Sequence, residues 1–158
     1  SECESVNEKY FNSLSKEKIL KKDDIILCCT GKISLGKIDI VESDEENSIT
    51  SVDNLILRIK NYNNLFLVYF FRSILGYFQI ERDYTGTTNQ IHLYPQDISN
   101  FLIPDIPLEK QQKIVEEIKS EIDKQNEFNK LIAIERKKID DLIDSVLGEG
   151  GEYVSLKC

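Results

Sequence analysis

Two lysines and a serine beside a short turn could contact a phosphate group. Lys32, Ser34 and Lys37 lie in or next to a segment bounded by Gly31 and Gly36. Small residues allow a backbone to approach a phosphate closely, and the lysines add positive charge. The turn is therefore a candidate DNA contact. A hairpin whose lysines are only solvated is the alternative.

A second set of polar side chains lies in the middle of the chain. Asn and Gln can each form two hydrogen bonds with adenine, and Arg can do so with guanine or can bind a phosphate. The surrounding cations could contact the DNA backbone or pair with an acid. The candidate residues of this set are Arg82, Thr88, Asn89 and Gln90, with Lys60 and Arg72 upstream of them.

No group of side chains forms a recognised active site. The single histidine, His92, lies in an alternating segment beside Tyr94, where a structural role is expected. The pairs Gly31-Lys32 and Gly36-Lys37 lack the spacing of a P-loop, which excludes a P-loop NTPase. The four cysteines form no CxxC pair and have no histidine nearby, so reduced thiols are expected. We therefore predict a non-catalytic chain with no metal or cofactor of its own.

The charge of the chain is unevenly distributed. A net charge of −8 over 158 residues argues against nonspecific binding of nucleic acid by the whole surface. However, residues 39–53 contain six acids and no Lys or Arg, whereas residues 5–38 carry a net charge of +3 and residues 54–100 one of +1. A locally basic surface is therefore possible, although we expect the isolated chain to bind DNA weakly.

The length and hydrophobic pattern indicate one soluble domain with an appended helix. The longest apolar run, residues 65–71, is far shorter than the roughly 20 residues that a membrane span requires. The first residues contain no apolar signal segment, so a cytoplasmic location is expected.

Short apolar runs and alternating patterns predict a compact unit of small strands with one or two helices. The apolar run of residues 65–78 is long enough to favour a helix, and Pro95 is expected to begin a turn. Strands are predicted at residues 24–29, 37–41, within 49–59, and at 90–94.

A long helix is predicted after Pro107, because residues 108–147 contain neither Gly nor Pro and Gly148 follows. Apolar residues recur along it at spacings of three and four, which is typical of a coiled-coil seam, and polar seam residues at Gln125, Asn129 and Arg136 could fix its register. A helix that folds back on its own domain is the alternative. The predicted pairing residues are Val115, Ile118, Ile122, Ile132, Ile139, Ile143 and Val146.

Four segments in the same order resemble the specificity subunits of type I restriction-modification systems. Residues 22–37 are similar to a family segment that reads G-D-I-L-x-x-x-T-G-x-x-G-K. Residues 84–91 are similar to a family turn that reads G-T/S-x-x. Residues 98–115 resemble the strand and the start of the spacer helix, and residues 139–143 resemble the end of the spacer. The family's opening segment, with its usual Trp, is absent, which suggests a partial domain.

The resemblance implies an α+β fold, in which a compact mixed α/β target recognition domain is followed by one long C-terminal α-helix that pairs as a coiled coil. The implied divisions are a partial recognition domain at 1–106, a spacer and dimerisation helix at 107–147, and a flexible C-terminal tail at 148–158. In this family the turn at Gly86 recurs whatever the DNA target, which indicates a structural role for that turn.

The implied function is to read one half-site of a bipartite target in double-stranded DNA and to dock methyltransferase and restriction subunits. The helices pair in a homodimer or within one chain, and S-adenosylmethionine, ATP and Mg are expected only on the partner subunits. Two alternatives remain open: the specificity region of a fused type II restriction-methyltransferase, and a coiled-coil interaction module that does not bind DNA.

Overall fold

A computed structural model describes residues 6–43, 48–87 and 90–148 and confirms the predicted α+β class. In these ranges, no helix is long and apolar enough to cross a membrane. The helices are α1 (Glu8–Ser13), α2 (Asn64–Arg72), α3 (Ile74–Asp83), α4 (Pro95–Ile98) and α5 (Leu108–Gly148), with a 3₁₀ turn at Lys16–Lys18; the strands are β1 (Ile25–Cys28), β2 (Ile38–Ile40), β3 (Asn54–Leu57), β4 (Thr85–Thr87) and β5 (Gln90–His92).

Three of the predicted strands form one antiparallel sheet in the order β2-β1-β3. Ile25 at the start of β1 lies opposite Ile40 of β2 and Leu57 of β3. Strand β3 is shorter than the pattern of residues 49–59 suggested. Ile49 lies outside β3 and pairs with Ile19 in an isolated bridge. The predicted strand positions are otherwise confirmed.

The apolar run after β3 forms two helices rather than one continuous helix. Ser73 adopts an extended conformation with ψ 162°, and its N–H donates to the carbonyls of Tyr69 and Phe70, which ends α2. Helix α3 then begins at once and packs tightly at Gly76, where a Cβ atom would lie 2.4 Å from the Phe70 carbonyl oxygen. Only glycine fits this contact without displacing one of the two helices.

Helix α2 and the sheet together supply most of the core. Leu67 and Val68 of α2 are fully buried, as is Ile25 of β1. Burial of such aliphatic side chains is the main favourable contribution to folding, at roughly 25 cal/mol per Å² of apolar surface. The core therefore fixes α2 against the sheet.

The hairpin of β4 and β5 follows α3, and the segment after it is helical. Thr85 lies opposite His92, and Thr87 lies opposite Gln90. The predicted turn at Pro95 is the short helix α4, because Asp97 accepts a hydrogen bond from the N–H of Tyr94 at 2.8 Å and stabilises the first turn.

Residue contacts divide the chain into a first unit, residues 1–115, and a second unit, residues 116–158. The first eight residues of α5 belong to the first unit, in which Gln111 and Val115 are buried. The second unit contains the exposed remainder of α5. The implied domain limits at residues 106 and 147 stay a prediction, and residues 149–158 of the expected tail lie outside the described ranges.

Candidate nucleic-acid interface

Hydrogen bonds within the backbone hold the segment between β1 and β2 in a compact turn. The N–H of Gly36 donates to the Cys28 carbonyl at 2.9 Å, and the N–H of Leu35 donates to the Gly31 carbonyl at 2.8 Å. Gly31 has φ 83° and Gly36 has φ 78°, in the left-handed region that favours glycine. The glycines thus let the chain reverse, and this leaves the side chains of Lys32 and Lys37 exposed.

Two backbone hydrogen bonds join this turn to the β4–β5 hairpin. The N–H of Gly31 donates to the Ile91 carbonyl at 3.1 Å, and the N–H of Leu93 donates to the Cys29 carbonyl at 2.9 Å. An isolated bridge also pairs Thr30 with His92. The structure therefore brings together two segments that the sequence singled out separately.

In the hairpin, all three residues of β4 (Thr85–Thr87) are exposed. Gln90 pairs with Thr87 through the backbone, and nothing is described of its side chain. Thr88 and Asn89 lie outside the described residues. Their proposed contacts with DNA stay predictions.

Arg82 lies in the last turn of α3, directly before the hairpin. Its Nε donates to Oδ1 of Asp83 at 2.7 Å, and its Nη2 donates to Oδ2 at 2.6 Å. These hydrogen bonds lower the pKa of Asp83 below its ordinary value. One edge of the Arg82 guanidinium is therefore held by Asp83.

Arg72 lies at the C-terminus of α2 and contacts the start of β2. Its Nε and Nη2 donate to the Ile38 carbonyl at 3.1 and 2.8 Å, and Nη2 lies 3.1 Å from Oδ1 of Asp39. Ile38 follows Lys37 directly, so Arg72 is brought next to the turn. Ser34, the third polar residue of the turn, is half-buried.

We define the turn–hairpin surface as residues 30–37, 85–87 and 90–92 together with Arg72 and Arg82. Lys60 does not belong to it. Lys60 follows the end of β3 that pairs with Ile25, whereas the turn follows the opposite end of β1. The structure thus separates Lys60 from the other cations that the sequence nominated.

The predicted pairing residues of α5 differ in exposure. Val115 is only 2% exposed because it packs in the core of the first unit, so its side chain is not part of an exposed seam. Ile118 is half-buried. The exposed apolar residues of the second unit include Ile122, Phe128, Leu131, Ile132, Ile139, Leu142, Ile143 and Val146.

Two side chains of the first unit that could take part in chemistry have defined surroundings. His92 stacks against Tyr94 with ring centroids 6.2 Å apart. The Cys29 thiol is buried, and burial raises its pKa, which disfavours the nucleophilic thiolate. Across the described ranges, no group of three or more His, Cys, Asp or Glu side chains could hold a metal ion.

Sequence reasoning missed the carboxylates that contact the arginines of this surface. Asp83 is adjacent to Arg82 in sequence and could have been noticed from that position alone. Asp39 is 33 residues from Arg72, and only the fold brings the two together.

Comparison with protein families found one match. The family described as the type I restriction modification DNA specificity domain matches residues 4–138. The match covers the turn, the hairpin and most of α5. A comparison with curated proteins found no match.

Proposed function

Because this chain belongs to the type I restriction-modification DNA specificity domain family, we propose that its turn–hairpin surface contacts double-stranded DNA and reads one half-site of a bipartite target. The family supports a role in DNA recognition. The observation that carries the more specific proposal is the pair of backbone hydrogen bonds that unites the turn and the hairpin. It joins a turn with two exposed lysine side chains to a hairpin with an exposed polar strand.

The surface concentrates positive charge within an acidic chain. Lys32 and Lys37 supply this charge, because Arg72 and Arg82 are each paired with an aspartate, whereas the whole chain has a net charge of −8. Contacts between such cations and phosphates release counterions from DNA, so the affinity falls steeply as salt rises. The acidic remainder of the chain weakens binding by repulsion, and a paired partner that presents a second half-site offsets this loss by raising the effective concentration.

Helix α5 supplies the second part of the proposed function. Apolar side chains exposed along one helix are stabilised when a second helix covers them. We assign this role to the α5 helix of a second copy or to an equivalent helix in the same protein, together with docking of methyltransferase and restriction subunits. The chemical steps, and any S-adenosylmethionine, ATP or Mg that they need, belong to those subunits.

A salt titration tests the DNA contact. Fluorescence anisotropy with a random duplex pool at about 0.05 to 0.2 M salt gives the slope of log affinity against log salt. We expect Lys37→Ala to weaken binding to all sequences and to reduce the steepness of the slope by about one. Lys60→Ala removes the same charge at the other end of the sheet, so it should leave the slope nearly unchanged.

Two results would contradict the proposal. One is the absence of salt-sensitive DNA binding, both alone and with methyltransferase subunits, which would leave α5-mediated protein interaction as the main function. The other is an equal effect of the Lys37 and Lys60 substitutions, which would place the DNA contact on another surface.

A further inference from the structure

The arginine at the base of the hairpin is held in a defined orientation. Both oxygens of Asp83 accept hydrogen bonds from Arg82. The side chain of Asp83 is 22% exposed, and that of Arg82 is 58% exposed. A free arginine side chain has many rotamers and loses conformational entropy when it is fixed. Contact with Asp83 removes part of this freedom before any ligand arrives.

The remaining donors of Arg82 have the geometry that guanine recognition requires. A guanidinium has five N–H donors, and Asp83 occupies the edge formed by Nε and Nη2. The outer edge, formed by Nη1 and the second N–H of Nη2, donates to no described partner in the structure. Two parallel N–H groups of this kind match the O6 and N7 acceptors of guanine in the major groove.

We propose that Asp83 is a positioning residue that presents the outer edge of Arg82 to a guanine in the DNA target; this inference rests on the proposed function. Asp83 is the last residue of α3. A carboxylate is unfavourable there, because the C-terminal end of a helix carries partial negative charge. Orientation of Arg82 explains an acid at this position, whereas helix stability does not.

Arg72 provides the contrast within the same surface. Its Nε and Nη2 both donate to the Ile38 carbonyl. Its ion-pair partner Asp39 has a side chain that is 77% exposed and contacts only Nη2 of Arg72. Asp39 therefore does not hold the guanidinium of Arg72 along one edge. Asp39→Asn removes the same charge as Asp83→Asn and is a matched control.

The experiment uses the full chain and a pool of duplexes with a randomised central segment at about 0.05 M salt. Sequencing of the bound fraction should show enrichment of guanine at one position. Replacing that guanine with 7-deazaguanine, which lacks the N7 acceptor, should weaken wild-type binding about tenfold. In Asp83→Asn and in Arg82→Lys, the same base change should alter the affinity less than twofold. Asp39→Asn should keep the tenfold effect.

Nuclear magnetic resonance of the free chain supplies an independent readout. We expect a resolved Arg82 Nε–H signal that Asp83→Asn abolishes and Asp39→Asn leaves unchanged. The inference is overturned if no guanine is enriched, if Asp83→Asn keeps the tenfold discrimination, or if the Nε–H signal persists without Asp83. Absence of salt-sensitive DNA binding in the wild type would overturn the proposed function as well, so the two failures are distinguishable.

Discussion

Asp24 and Arg58 form the most buried ion pair described in the structure. The side chain of Asp24 is 5% exposed, and both of its oxygens accept hydrogen bonds from Arg58 at 2.7 Å. Arg58 also donates to the carbonyls of Glu17 and Ile19 at 2.8 Å. One guanidinium thus joins the start of β1, the end of β3 and the segment before the sheet.

Replacing Asp24 by Asn should lower the free energy of unfolding by about 2–3 kcal/mol, because Arg58 would lose a charged partner in a partly buried position. Asp39→Asn, at an exposed pair, should cost less than about 1 kcal/mol. Urea unfolding followed by circular dichroism measures both changes. Equal losses in the two variants would show that the Asp24 pair contributes no more than a surface pair.

The same pair gives stability a defined pH dependence. Burial raises the pKa of Asp24, but hydrogen bonds from Arg58 and from the Lys21 N–H outweigh this effect, so the pKa lies below its ordinary value of 3.8. The contribution of Asp24 is therefore complete above about pH 4 and disappears as the pH falls through the lower folded-state value. Below pH 4 the melting temperature of the wild type should fall more steeply with decreasing pH than that of Asp24→Asn. Equal slopes of melting temperature against pH in the two proteins would contradict this assignment.

Residue types in the candidate site could be predicted from the sequence, as could the contact between the neighbours Arg82 and Asp83, whereas partners distant in sequence could not. Lysines beside glycines identify a turn through local chemistry alone. The Asp24–Arg58 pair links residues 34 positions apart, and nothing local to either residue indicates the other. The hydrogen bond between Gly31 and Ile91 likewise joins residues distant in sequence, and neither residue indicates the other.

At the level of helices and strands, the sequence predicted the type of element better than its limits. β1 and β2 were identified because a short apolar run and an alternation are local signals. The break between α2 and α3 was missed because Ser73 is compatible with a helix, and its extended conformation depends on how the two helices pack. The close contact at Gly76 is a tertiary feature of the same kind.

Gly76→Ala should therefore destabilise the fold by about 1–3 kcal/mol, since the added methyl group overlaps backbone atoms of α2. Gly148→Ala is a matched control, because a Cβ at Gly148 meets no atom within 4 Å. Alanine there should be neutral or slightly stabilising. Thermal unfolding measures the difference, and a Gly76 variant as stable as the wild type would refute the close contact.

At the level of the whole molecule, we expect the exposed apolar residues of α5 to pair with a second copy of the helix. Ile132→Glu should convert a dimeric chain to a monomer, since it places a charge in the seam. Lys130→Gln makes the same change in net charge about 160° around the helix, at roughly 100° per residue, and should leave the mass unchanged. Light scattering measures both masses. A dimer that persists in Ile132→Glu would exclude the proposed seam.

Gln111 has a consequence for the order in which the molecule folds. It is 1% exposed, accepts from the Asn63 N–H and donates to the Ile106 carbonyl, each at 2.8 Å. Forming the first turn is the unfavourable step of helix formation, and here the folded first unit supplies that turn ready-made.

We therefore expect helix α5 to grow in one direction, from Gln111 toward Gly148, after the first unit has folded. In monomeric Ile132→Glu, protection of amide hydrogens against exchange should decline steadily along this path. Uniform protection would show instead that α5 forms independently. If the proposed partner helix covers the rest of α5, assembly would be coupled to folding of the first unit, because that unit supplies the first turn of the helix.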